Sequence, residues 1–267
     1  MAKEDDRALR LYHEVLGLNH LHYGIWLNSD ELDLKKLKRA QQRYEDFLIH
    51  HLPRKAVHIL DVGCGTSALV ERLLKEGRSA EGLSPCVHQK KVFKGKLKAP
   101  FHHSRFEEFN PKREYDCLIM SESAQYIPYQ HLFANAARCL KSGGTLIVCD
   151  YFLLNGATGV WKRSGHNMEK FMAEASKRGF RLVKQEDLTD RVLKTMDLAK
   201  LCIDRMLVAA DILTARFRAQ YPLVMRFLMW LMKGKIHKWD EKRQLMDSTQ
   251  FAQNKRYVFL LFKREHA

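Results

Sequence analysis

Between residues 57 and 152, short apolar runs alternate with segments whose apolar positions recur every three to four residues. The runs VHILDVG (57–63), SAEGL (79–83), YDCLIMS (115–121) and GTLIVCDYF (144–152) have the length of buried strands, and APFHHS (99–104) is a weaker candidate. The segments 67–76, 86–97 and 129–140 carry helical periodicity. KSGG (141–144) reads as a helix stop and a tight turn into the next strand. Strand–helix alternation with short connections predicts a parallel sheet covered on both faces, an α/β fold. Further on, NMEKFMAEASKRGF (167–180) predicts a helix, RLVKQEDL (181–188) a strand and KRYVFLLFKR (255–264) a last strand. Residues 190–245 between those strands read as one long helical insertion. Residues 1–52 also read as helical: DRALRLYHEVLG and LDLKKLKRAQQRYEDFLIHHL flank LNHLHYGIWLNS, and Pro53 ends the region.

The stretch HILDVGCGTSALVERLLKEG (58–77) places a glycine-rich turn between a strand and a helix. Such a turn lets a ligand approach the backbone and the helix N-terminus. Taken alone, GCGTSA (63–68) also fits a dinucleotide site. Asp61 argues against that, because a carboxylate two residues before Gly63 repels a pyrophosphate. The ligand half facing the turn is expected to be cationic, such as the ammonium of an amino acid. No second nicotinamide-binding half follows.

Composition adds one unusual property. The formal net charge is +15, so the surface field attracts nucleic acid, an anionic membrane or acidic small molecules. The six cysteines include no CxxC pair, which argues against zinc and for free thiols in a cytoplasmic protein; no metal is expected. The start MAKEDDRALR shows no signal-peptide pattern. The longest apolar segment, YPLVMRFLMWLM (221–232), is interrupted by Arg226 and is too short to span a bilayer.

ILDVGCGTSALVERLLKEG resembles motif I of class I S-adenosylmethionine-dependent methyltransferases. AEGLSP, YDCLIMSESAQYI and LKSGGTLIVCDYF continue that resemblance in the expected order over roughly residues 55–190. EGLSP and NHLHYGIW (19–26) are similar to segments of the tocopherol methyltransferase and cyclopropane-fatty-acid-synthase-like group. The resemblance implies a Rossmann-like domain, 53–189 with 246–267, whose parallel sheet ends in an antiparallel strand. It implies an N-terminal helical lid (1–52), a helical substrate cap (190–245) and S-adenosyl-L-methionine as cofactor.

The cofactor residues it implies are Asp61, Gly63, Cys64, Gly65, Leu83, Ser84, Gln89, Arg105, Phe106 and Ser121. The sequence departs from the family at three places. Ser67 stands for the third glycine, Leu83 and Ser84 stand where an acidic residue usually grips the ribose, and Ser104 stands where an aspartate often precedes the adenine contact. Methyl transfer from a sulfonium is an in-line displacement that depends on alignment, and needs a base only when the acceptor must lose a proton. Glu122 and Tyr126 follow the fourth strand, while His20 and Tyr23 belong to the lid segment; these four are the candidate catalytic residues. Tyr23 is expected beside the sulfonium, where an aromatic face favours a cation.

The apolar cap and its cations predict a hydrophobic small-molecule substrate, quinone-, prenyl- or lipid-like, collected by peripheral contact with an anionic membrane. The competing readings are an N-methyltransferase for a phosphobase or polar amine, an RNA methyltransferase, and an inactive cofactor-binding subunit. No nucleic-acid-binding module is recognisable, and SESAQY (121–126) stands where amino-methylating nucleic-acid enzymes carry Asn-Pro-Pro-aromatic.

Overall fold

The computed structural model describes residues 17–18, 20, 22–227, 230–231 and 245–265. All but Gly17 of the helix expected over 6–17 and part of the insertion, including Met229, Met232, Lys233, Lys235 and Lys238, fall outside these residues.

Helix α1 (Leu34–His50) opens the regular structure, with Asp33 capping it by accepting from the Lys36 N–H at 2.7 Å. Then follow β1 (His58–Val62), α2 (Ala68–Lys75), β2 (Ser79–Leu83), α3 (Val87–Lys96), β3 (Phe101–His102) and β4 (Tyr115–Ser121). The chain continues through α4 (Tyr129–Cys139), β5 (Leu140–Leu153), β6 (His166–Asn167), α5 (Met168–Lys177), β7 (Phe180–Asp187) and α6 (Thr189–Gln220). Residues 222–227 are again helical, and α7 (Ser248–Asn254) leads into β8 (Lys255–Arg264).

The strands form one sheet in the order β3-β2-β1-β4-β5-β8-β7. The first five are parallel, and β8 runs antiparallel to both β5 and β7. This is the Rossmann-like arrangement with an antiparallel final strand that the alternating pattern and the resemblance led one to expect. Two details differ. KSGG does not precede β5 as a separate turn. Leu140 already pairs with Tyr115, and the next pair is Cys117 with Thr145, so residues 141–144 bulge out of the strand. The two-residue β6, which pairs with Phe152 and Leu153 beyond the end of β4, is too short to leave a periodic signal.

Alternate residues of each central strand enter opposite cores. Ile59, Cys117, Ile119, Ile147, Cys149, Phe259 and Leu261 face one side with Tyr44, Leu48, Val70, Leu73 and Phe93 of the α1–α3 layer. Leu60, Leu118, Met120, Leu146, Val148, Leu260 and Phe262 face the other with Leu132, Phe133, Phe171 and Ala175 of α4 and α5. A third, smaller cluster joins Leu18 and Trp26 of the N-terminal segment to Leu37 and Ala40 of α1 and Leu198 of α6.

The second core closes around Phe133, whose ring centroid lies 4.8 Å from Phe171, 5.4 Å from Phe180 and 5.9 Å from Phe262. We expect Phe133→Ala to cost about 3–5 kcal/mol in urea denaturation, because three rings lose their common neighbour.

Candidate functional site

β1 and β4 are neighbours from which the chain departs to opposite sides of the sheet, and ligands settle in the crevice at such a switch point. A cleft of about 630 Å³ lies there, against the carboxyl ends of β1, β2 and β4. Its floor is the turn after β1. Gly63 (φ 80°), Gly65 (φ 52°) and Ser67 (φ 74°) are all left-handed, which carries the backbone sharply into α2. The Gly63 N–H donates to the Leu83 carbonyl at 2.7 Å, tying the turn to β2. A side chain at Gly63 would put its Cβ 2.5 Å from the Cβ of Ser123. Serine at position 67 keeps the turn, although it holds a left-handed conformation that glycine would adopt without strain.

The structure brings thirteen of the fourteen candidate residues to this cleft: Asp61, Gly63, Cys64, Gly65, Leu83, Ser84, Gln89, Arg105, Phe106, Ser121, Glu122, Tyr126 and His20. Tyr23 is the one it does not bring there. Its ring packs against Tyr257 at 5.4 Å and Phe251 at 6.4 Å, on the β8–α7 side. Its neighbours His20 and His22 reach the cleft instead. Tyr126 stands at the cleft with 73% of its surface exposed. Glu81 on β2 is no substitute for a ribose-gripping acid. Tyr115 donates to it at 2.8 Å, His102 lies against it at 2.7 Å, and it is absent from the cleft wall.

Two carboxyl groups dominate the electrostatics. Burial, with a smaller contribution from the Glu45 charge, pushes Asp61 up to about 7. Burial likewise pushes Glu122 up to about 8, against the opposing pull of its hydrogen bonds. Glu122 is also left-handed (φ 56°), a strained conformation of the kind that gathers at functional sites. Its Oε1 accepts from the Tyr23 N–H at 2.7 Å and from the Tyr257 hydroxyl at 2.6 Å. Tyr257 lies 3.1 Å from the Tyr44 hydroxyl, which lies 2.9 Å from Ser121 Oγ. Ser121 and Glu122 both line the cleft, so a chain of hydroxyls runs behind its wall and returns to it.

The reading from residue types missed Glu45, which is 2% exposed, lines the cleft and accepts from Arg72 Nη1 at 3.1 Å. A signal was there: Gln41 and Glu45 stand four apart on the buried stripe of α1, where an apolar side chain is the rule.

Residues 36–199 match the methyltransferase domain family, and the chain belongs to it. Domains of this class take their methyl group from S-adenosylmethionine. The mitochondrial ubiquinone biosynthesis O-methyltransferase of Mus musculus is 25% identical over 155 residues, covering 46% of this chain and 40% of that protein. The chain spans less than two thirds of the length of the curated relatives it matches. In fold it is similar to a putative sarcosine dimethylglycine methyltransferase from Galdieria sulphuraria, with TM-score 0.74, 17% identity and 98% of each chain covered. It is similar also to geranyl diphosphate C-methyltransferase from Streptomyces coelicolor A3(2), crystallised with Mg2+, geranyl diphosphate and S-adenosyl-L-homocysteine. There the TM-score is 0.67 at 17% identity, over 98% of this chain and 94% of that one.

Two outcomes follow from this geometry. Gly63→Ala should weaken S-adenosylhomocysteine binding at least ~10-fold in calorimetry, about 1.4 kcal/mol, by forcing the turn off Ser123. Glu122→Gln should change how stability depends on pH. A carboxyl whose folded pKa is raised contributes stability below its unfolded value, and loses it as pH rises through the folded value near 8. The melting temperature of Glu122→Gln relative to the parent should therefore climb between pH 5 and pH 9. A constant difference across that range would show that the carboxyl is ionised throughout.

Proposed function

We propose that this protein transfers the sulfonium methyl group of S-adenosylmethionine to a hydrophobic small molecule of prenyl, quinone or lipid type. In this reading the cofactor lies over the Gly63–Ser67 turn, with its cationic methionine end toward Asp61. Burial raises the Asp61 carboxyl to about 7, and a cation beside it would draw it into the charged form. Displacement at the methyl carbon then depends on how the acceptor is held. Glu122 and Tyr126 are the proposed acceptor-side residues. A Glu122 carboxyl that keeps its proton at neutral pH can donate a hydrogen bond to an acceptor oxygen, and becomes a base only on ionising near pH 8.

The observation that carries the acceptor class is the distal part of the insertion. From Arg205 to the end of α6 every residue is exposed. Met206, Leu213 and Phe217 fall on one side of that helix, and Val208 and Ile212 on the other. Leu223, Phe227 and Trp230 continue the exposed apolar series, and Arg205, Arg216 and Arg226 stand among them. Bare apolar surface of this extent, interspersed with cations, suits an anionic membrane surface from which an apolar acceptor is drawn. No described helix is long and apolar enough to cross a membrane. The names of two relatives, one in ubiquinone biosynthesis and one acting on geranyl diphosphate, support the same class.

With radiolabelled S-adenosylmethionine, we expect methyl transfer to prenylated quinols or lipids presented in vesicles, and little to polar amines. Preferential methylation of sarcosine-like amines would overturn the acceptor class. Replacing Arg205, Arg216 and Arg226 together by Gln should lower affinity for anionic vesicles roughly 100-fold at low salt, from about 1 kcal/mol per charge. The affinity for S-adenosylhomocysteine should not change. Wild-type protein that fails to sediment with anionic vesicles would sink the membrane reading.

A further inference from the structure

His20, His22 and Glu45 meet on the wall of the same cleft, in an arrangement that the cofactor chemistry does not call on. His20 Nδ1 lies 2.9 Å and His22 Nε2 lies 3.7 Å from one and the same oxygen, Oε1 of Glu45. All three atoms fall within 4.8 Å of one another. Both nitrogens are shut off from solvent, and neither makes a well-directed hydrogen bond among the described residues. The tautomer of His22 sharpens the problem. Its Nδ1 lies 2.7 Å from the Tyr23 carbonyl oxygen, which can only accept, so Nδ1 carries the proton. Nε2 then faces the carboxylate oxygen either through an imidazolium proton or through a bound cation.

We propose that His20, His22 and Glu45 bind a divalent first-row transition ion, of which Zn2+ is the best fit. Bonds of 2.0–2.1 Å at tetrahedral angles set ligand atoms about 3.4 Å apart. The two nitrogen-to-carboxylate separations, 2.9 and 3.7 Å, bracket that value. Two imidazoles and one carboxylate are a common donor set for such an ion, and the face toward the cleft leaves a position for a further ligand. The supporting contacts are of the kind that orient metal ligands. The His22 N–H is held by the Tyr23 carbonyl, and the second oxygen of Glu45 is held by Arg72 at 3.1 Å. Gln41 donates to the carbonyls of His20 at 3.1 Å and His22 at 2.8 Å, fixing the backbone of both. The sequence alone suggested no metal because no paired-cysteine motif is present. This donor set comes from a loop and a helix more than twenty residues apart and leaves no local motif. The inference holds whichever acceptor is methylated.

Full-length protein, stripped with a chelator, should bind one equivalent of Co2+ with the visible absorption of a tetrahedral or five-coordinate site. One equivalent of Zn2+ should displace it. Zn2+ should also raise the melting temperature of the stripped protein. His22→Ala and Glu45→Gln should each lose the Co2+ spectrum and the Zn2+ shift. His22→Cys should keep metal binding and add a sulfur-to-cobalt charge-transfer band. Circular dichroism of each variant reports whether it has folded. Folded wild-type protein that takes up no Co2+, or binding left unchanged in folded His22→Ala, would overturn the proposal and leave the trio a buried ion pair. Neither outcome bears on S-adenosylhomocysteine binding, which tests the methyltransferase reading separately.

Discussion

Three neighbouring strands end in carboxyl groups drawn away from solvent, Asp61 and Asp150 buried and Glu122 half-buried, and much of the molecule is arranged around them. Asp61 closes β1, Glu122 follows β4, and Asp150 lies toward the end of β5. Burial pushes all three upward, to about 7, 8 and 7 respectively. Acidic groups are rarely buried this deeply without partners, because removing a carboxylate from water costs several kcal/mol. Each is met differently. Asp61 faces the cleft. Glu122 receives the Tyr23 N–H and the Tyr257 hydroxyl. Asp150 accepts from the Gln125 and Tyr151 amides at 3.0 and 2.8 Å and lies in the field of Lys255. Lys255 is itself buried and lowered to about 8, its ammonium 4.0 Å from the centre of the Tyr151 ring.

Those partners explain why the N-terminal segment and the last strand belong to the site. Tyr23 reaches Glu122 through its backbone, and Tyr257 reaches it from β8. The segment is pinned at further points. Gly24 donates to Thr195 Oγ1 at 3.0 Å, the Trp26 indole donates to the same oxygen at 2.8 Å, and the Trp26 amide donates to the Arg191 carbonyl. Gly24 also packs so closely on α1 that a Cβ there would lie 2.5 Å from that of Ala40. The strand ends, the N-terminal segment and the root of α6 are thereby one mechanical unit.

The strand series and its helices were legible from patterning, because each central strand feeds two cores at once and must be apolar throughout, while the reversal of the final strand came from the family resemblance. The glycine turn was legible too, since left-handed backbone demands small residues and Gly63, Gly65 and Ser67 supply them. Spacing could not show Glu45 joining His20 and His22, or the Tyr23 ring packing on the β8–α7 side. Both depend on how α1 and the segment before it dock, which is settled by Gln41, Thr195 and Phe251 from distant parts of the chain. Position along the sequence thus determined the fold and the turn at the end of β1, whose requirements are local. The protonation of the buried carboxyls and the meeting of histidines with glutamate were decided by tertiary structure alone, because burial and charge proximity exist only once the layers have packed.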